Sequence, residues 1–327
     1  MPEAEIKRRV DQAIAEKVFP GCVVGVVSDH KTEILSFGHL TYDAGSEVVR
    51  EDTTYDLASI TKSIPLASLA AILIRAGKLS LTDRVRKYLP ELQNDYDATI
   101  EDLLHYHVRG PQLSKLHLKT FEEIRTHVFE HGFDGKAGER AYSNLPAFLL
   151  GIILERVSGE SLAALSHRLL FGPLGMEQTT FFPVASNCAP TEIDDRGEVR
   201  GLPHDESTYV FAKVRRAVGH AGLFSTAGDL LKFLSWLLET ESIYGHGVSI
   251  YQAAEQGLGW EIGATWMGSG ATDKTFGKTG FTGTSVCVDR AKGKAFAILS
   301  NRTYPKRPAD NTAINAFRRD IADIVLA

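Results

Sequence analysis

The sequence predicts an α+β fold: one antiparallel sheet built from both chain ends, flanked by terminal helices, with a helical lobe in the middle. Three observations carry this. β-Branched, apolar runs with strand character cluster near the two ends, at residues 22–42 and from 257 onward. Residues 99–175 show helical periodicity instead, and each end of the chain is an amphipathic helix able to cover the sheet beside it. A parallel α/β sheet would interleave strands and helices throughout. The chain, 1–327, is expected to form one domain, with an α/β part from about 1–57 and 223–327 and the lobe from about 58–222.

Composition narrows the function classes. Hydrophobic residues make up 43% and charged residues 24%, the balance of a chain with an ordinary buried core. A net charge of −5 gives no basic surface for nucleic acid or an anionic membrane, which leaves a small-molecule or short-peptide partner. Cys22, Cys188 and Cys287 are far apart and odd in number, so neither a disulfide framework nor a zinc ribbon is expected. The charged N-terminus lacks a signal-peptide core and no membrane span is expected, which places the chain in the cytoplasm.

Taken in order, Ile6, Val10, Ile14 and Val18 mark one face of a first helix. CVVGVVSD and TEILSFGHLTY follow as strands joined by a turn. A helix from Ser59 to Ala76 is predicted next, with Gly77 as its C-cap and Pro65 in its first turns, where a missing N–H costs least. LTDRVRKYLPEL predicts a short helix capped by Thr82 or Asp83. Beyond the helix-rich middle, residues 178–222 are rich in Pro, Gly and Asp and predict a long loop. STAGDLLKFLSWLLET predicts a helix capped by Ser225 or Thr226, with Asp229 in its first turn favouring the dipole. GLGWEIGA, KTFGKTGFTGTSVCVDR and KAFAILSNR predict adjoining antiparallel strands, and AINAFRRDIADIVL a closing helix.

Three short stretches carry chemistry. In DLASITKS, Ser59 and Lys62 are one turn apart at a helix start, where unpaired N–H groups concentrate. A lysine can take a serine proton only if burial or a nearby cation lowers its pKa, and the apolar flanks would supply that burial. Alone, this spacing also fits a plain polar stripe. Tyr142 and Asn144 lie two apart on a turn feeding an apolar helix. A phenol there can relay protons and an amide can fix a carbonyl, although Ser143 or Asn144 can equally be a helix cap. In FGKTGFTG, Lys278, Thr279 and Gly280 fall in a strand pattern. Glycine there lets a ligand approach the backbone, and an edge strand offers N–H groups to an oxyanion.

Together and in this order the stretches resemble the Ser-x-x-Lys, Tyr-x-Asn and Lys-Thr-Gly elements of the serine β-lactamase and penicillin-binding-protein superfamily. The Tyr-x-Asn form is similar to the class C-like branch, which includes class C β-lactamases, D-alanyl-D-alanine carboxypeptidases, family VIII carboxylesterases and several amidases. GKLSLTDRVRKYLPEL, LFGPLGMEQTTF and GHAGLFSTAGDLLKFL extend the likeness along the chain. The resemblance implies a β-lactamase/transpeptidase-like fold and a serine acyl-hydrolase working through an acyl-enzyme on a β-lactam, ester or peptide bond. A non-hydrolytic penicillin-binding or receptor-like protein is the alternative. It implies Ser59 as nucleophile, with Lys62 and Tyr142 sharing the base and acid work. Asn144 would hold the substrate carbonyl side and Lys62. Lys278 would tune Tyr142 and attract a substrate carboxylate, with Thr279 and Gly280 beside it. The N–H groups of Ser59 and Phe281 would form the oxyanion hole, and no metal or other cofactor is needed. The family's Leu-Leu-x-His-x-Ser-Gly segment is replaced here by DLLHYHVRGPQLSK. Its histidines, His105 and His107, like His117, are expected to be packed or solvated, and His220 structural.

Overall fold

The computed structural model describes residues 3–134, 142–239 and 246–327, with only the backbone of 246–249. The GERA lead-in to Tyr142 therefore lies outside the described residues. In chain order the strands are β1 (Gly21–Ser28), β2 (Lys31–Gly38), β3 (Tyr55–Asp56), β4 (Glu192–Asp194), β5 (Gly197–Val199), β6 (Phe224–Ser225), β7 (Glu261–Ile262), β8 (Phe276–Thr279), β9 (Ser285–Asp289) and β10 (Lys294–Ser300). Six of them form one antiparallel sheet in the order β2-β1-β10-β9-β8-β7, drawn from both ends of the chain as expected.

Alternation along β1 divides the core. Cys22, Val24 and Val26 face the terminal helices, Glu3–Ala15 and Thr312–Val325, whose Ile6, Val10, Ile314, Phe317 and Ile321 are buried against them. Val23 and Val27 face the opposite way, onto the Ala227–Leu238 helix and the lobe. At Gly25 a side chain has no room, since an added Cβ would stand 3.0 Å from Leu231. The helix thus lies directly on the strand.

The Ala227–Leu238 helix is capped as predicted, Thr226 accepting from the Asp229 N–H. Elsewhere the structure corrects the sequence reading. The helix expected over Ser59–Ala76 breaks in two. Pro65 excludes Ile64 from helical geometry, and Ile64 sits at φ −117°, ψ 107°. Ser59 and Lys62 therefore occupy a separate 3-10 turn, Ala58–Lys62, ahead of the Ser68–Arg75 helix, which Gly77 follows at φ +68°. The Ser63 carbonyl accepts from both the N–H and the hydroxyl of Ser68. By mean hydropathy Ala58–Arg75 is apolar enough to cross a membrane, but 83% of that window is buried inside the protein.

The LTDRVRKYLPEL segment forms a single helical turn, Val85–Tyr88, preceded by Arg84 rather than capped by Thr82 or Asp83. Asp83 instead accepts from the Ser80 N–H and from Lys87. Residues 178–222 are more than a loop. They hold the β4–β5 hairpin and an eight-residue helix, Glu206–Lys213, capped by Asp205. Finally, the strand expected to run through KTGFTGTSV is interrupted, because residues 280–284 turn between β8 and β9.

Candidate active site

The 3-10 turn bearing Ser59 is held from three directions. Asp56, buried, accepts from the Ala58 N–H (2.8 Å) and the His204 N–H (2.7 Å), joining the turn to the segment before the Glu206–Lys213 helix. Burial pushes the Asp56 carboxyl up to about 6 even though these donors favour its charge. From the sheet, Thr282 Oγ1 donates to the Asp56 carbonyl (2.7 Å) and Thr284 Oγ1 to the Leu57 carbonyl (3.2 Å). Gly280 approaches so closely that an added Cβ would lie 2.4 Å from the Leu57 carbonyl oxygen, which is why this position needs glycine. Ala58 is held at φ +46°, a left-handed conformation that is strained for alanine.

Two groups converge on the serine. Lys62 Nζ donates to Ser59 Oγ at 3.0 Å, and the Tyr142 hydroxyl donates to the same oxygen at 2.8 Å. Lys62 is 1% exposed and also donates to the His220 carbonyl at 2.7 Å. Burial lowers its pKa, and the Lys278 cation lowers it further. Burial alone would raise the Tyr142 phenol. The Lys62 and Lys278 cations, with the hydrogen bonds to Ser59 and Lys62, outweigh that and bring it below the ordinary tyrosine value. Tyr142 as a residue is 58% exposed, so its ring stands in the open cleft while its oxygen meets the buried amine. Lys62 Nζ and Lys278 Nζ each lie 5.3 Å from its ring centroid.

Lys278, 3% exposed, comes from β8, and β7 pairs only with the first two residues of that strand. At Lys278 and Thr279 the strand is paired with β9 on one side and is unpaired on the β7 side. Lys278 Nζ pairs with Glu261 Oε1 at 3.3 Å. Glu261 also accepts from Trp266 Nε1 (2.8 Å) and the Thr279 hydroxyl (3.4 Å). The backbone N–H groups of Ser59 and Phe281 make no hydrogen bond to another group of the described residues. The Phe281 carbonyl is held by Arg302 Nε (2.8 Å), and those of Gly280 and Thr284 by the buried Arg318 (2.9 and 2.7 Å).

Ser59, Tyr142, Asn144, Thr279, Gly280 and Phe281 line one open cleft of about 500 Å³. Asn144 departs from expectation. Its side chain does not cap the Leu145–Ser158 helix, and it is not bonded to Lys62. Asn144 Nδ2 donates to Asp205 Oδ2 at 3.2 Å, and the His220 carbonyl takes the place beside the lysine. The His220 ring meets the Ser207 and Thr208 hydroxyls, while its carbonyl meets the Lys62 amine. His105 and His107 stack on each other, and among the described residues no group of three or more His, Cys, Asp or Glu could hold a metal.

Sequence reasoning missed Glu261, Asp205 and the acceptor role of His220. The signals were faint. Glu261 is a lone carboxylate in the apolar run GLGWEIG, and Asp205 opens the cap pattern Asp-Glu-Ser-Thr.

The Beta-lactamase family model matches residues 6–319. The N-acetylmuramyl-L-alanine amidase of Bacillus subtilis (strain 168) is 26% identical, with 91% of this chain and 81% of that protein covered. Two solved structures share the fold. A D-alanine carboxypeptidase from Burkholderia cenocepacia has a TM-score of 0.75 at 22% identity, covering 97% of each chain. A class C beta lactamase from Rhodobacter sphaeroides has a TM-score of 0.74 at 21% identity, covering 96% of this chain and 97% of that one. With the family match running almost from end to end, this chain belongs to the Beta-lactamase family, whose broad chemistry is that of serine hydrolases acting through an acyl-enzyme.

Proposed function

We propose that the chain is a serine acyl-hydrolase in which Ser59 attacks the carbonyl of an ester or amide, a β-lactam included. The observation that carries the reading is the placement of Ser59 Oγ within hydrogen-bonding reach of both a buried amine and a phenol whose pKa values are lowered. As Ser59 Oγ bonds to the carbonyl carbon, its proton passes to the Lys62–Tyr142 pair. The two groups are in contact, so the pair titrates as a unit. The oxyanion is received by the N–H groups of Ser59 and Phe281. Collapse breaks the bond to the leaving group, which takes the proton from the pair. Water repeats the sequence on the acyl-enzyme: the pair accepts a water proton, hydroxide adds to the carbonyl, and the proton returns to Ser59 as the acid leaves.

Lys278 is the proposed anchor of a substrate carboxylate. Glu261 already partners it, so a carboxylate competes with that pair, and Glu261→Gln should lower KM for carboxylate-bearing substrates. The amidase and carboxypeptidase named above are similar to this chain in sequence or fold, which favours a peptide or amide substrate class. The proposal is tested with a fluorophosphonate probe and p-nitrophenyl esters. Stoichiometric labelling and ester turnover that both vanish in Ser59→Ala support it. Turnover that persists in Ser59→Ala rules Ser59 out as the nucleophile.

A further inference from the structure

Asp56 takes no part in the acyl transfer proposed for Ser59, yet the fold keeps its carboxylate where a charge is unfavourable. It is 2% exposed, and burial lifts the carboxyl to about 6. An unfolded chain loses this proton at lower pH than the folded one, so between the two values stability falls as pH rises. What the charge does is accept two backbone donors from segments far apart in the chain. Oδ1 takes the Ala58 N–H at 2.8 Å, in the residue just before the nucleophile, and Oδ2 takes the His204 N–H at 2.7 Å. Ala58 is the residue at φ +46°, so the first bond fastens the turn at its strained point. Ala58, Ser59 and His204 all line the cleft. The His204 segment is clamped in turn, because Arg196 of the β4–β5 hairpin donates to the Pro203 and His204 carbonyls at 2.9 and 3.1 Å. A protonated carboxyl has a hydrogen of its own to place. Both oxygens of Asp56 already face N–H donors, so one of the two bonds must give way when the proton arrives. The other charged or titratable groups that bear on Asp56 keep their state near pH 6. Asp205 is held well below the usual carboxylate range, Cys188 is pushed up to about 12, the His204 ring is pushed down to about 4, and Arg196 is a guanidinium.

We propose that Asp56 is a positioning residue whose ionised carboxylate couples the Ser59 turn to the cleft wall at His204, and that acid slows acylation by breaking this coupling while the chain is still folded. The inference rests on the acyl-hydrolase reading and adds to it a control of the same site by pH. Asp56 acts through the backbone alone: it sets where the Ser59 N–H and hydroxyl stand relative to the wall and exchanges no proton with the substrate.

The test follows the rate of Ser59 labelling by a fluorophosphonate from pH 4.5 to 9, with circular dichroism at each pH to show that the chain stays folded. The Lys62–Tyr142 pair contributes one protonation to the acid limb and Asp56 a second. The wild-type limb should therefore steepen below pH about 6, towards a slope of about two in log rate against pH. Asp56→Asn sets an NH2 group against one of the two N–H donors and so imitates the protonated acid. It should label about tenfold or more slowly at pH 8 and show a limb of slope about one. Infrared spectra of the wild type decide the matter if Asp56→Asn fails to fold: a protonated-carboxyl band should grow in as the pH falls through about 6, in step with the extra loss of labelling. A wild-type limb of single-proton slope, or no such band, overturns the proposal. So does an Asp56→Asn variant that labels at the wild-type rate. A variant that is slower at every pH with the two-proton limb intact marks a structural role only and overturns it too. A wild type that takes no label on Ser59 at any pH overturns the hydrolase reading and this inference with it, whereas labelling with a single-proton limb overturns this inference alone.

Discussion

In the proposed mechanism Lys278 acts through charge on the Lys62–Tyr142 pair, so its removal has a definite sign. Its cation lowers the pKa of both Lys62 and Tyr142. In Lys278→Met both values rise, whichever group holds the proton, and the pH below which the base is lost moves up. The acid limb of kcat/KM should therefore shift upward in this variant. Glu261→Gln releases Lys278 from its counter-ion and should shift the limb the other way. A pH–rate profile from 5 to 10 reads both, and a limb that stays put in both variants contradicts the electrostatic account. At this scale the sequence was most informative about residues that act directly. Ser59, Lys62 and Tyr142, singled out by motif, are within hydrogen-bonding distance of one another's groups, and Phe281 lines the same cleft as Ser59 and Tyr142. Residues that act through others were hidden. Asp205 meets Asn144 across 61 positions, and no local pattern encodes that contact.

Between β8 and β9 the 280–284 turn presses on the Ser59 turn with almost no clearance. Gly280→Ala would drive a Cβ against the Leu57 carbonyl and Thr284 Oγ1. Overpacking of this kind costs about 1–3 kcal/mol. The expected result is a lower Tm together with slower acylation, because the backbone that must yield carries both N–H groups proposed to receive the oxyanion. Normal acylation at a lowered Tm would separate the turn from catalysis. Elements with several full turns of periodicity were legible, among them the N-terminal helix, the Leu145–Ser158 helix and the Ala227–Leu238 helix. Those set by a single steric conflict or a few residues were not. Pro65 acts on one residue, Ile64, yet divides a continuous apolar run into a turn and a helix. The Glu206–Lys213 helix is too short for its period to stand out from its Pro- and Gly-rich surroundings.

Over the whole molecule the two chain ends share one sheet, and the C-terminal end reaches the site. The sheet joins β1 to β10, and the C-terminal helix sends the buried Arg318 to the Gly280 and Thr284 carbonyls, the frame of the turn that carries Phe281. Arg318→Met leaves two buried carbonyls without a charged donor and should cost about 3 kcal/mol. A urea melt measures that cost, and the labelling rate shows whether the site loosens with it. Sheet composition and the covering of one face by both terminal helices were legible because alternation and amphipathicity repeat over many residues. How the segment ahead of the Glu206–Lys213 helix is tied to the Ser59 turn was not, since that depends on contacts such as His204 to Asp56 across 148 positions. The central claim is that Ser59 forms and then releases an acyl group. Its most direct test is intact-protein mass spectrometry of wild type and Ser59→Ala, followed in time with nitrocefin and a p-nitrophenyl ester. The account predicts an adduct of the acyl mass that appears in wild type only and decays as product accumulates. An adduct that never decays, or one that persists in Ser59→Ala, would contradict it.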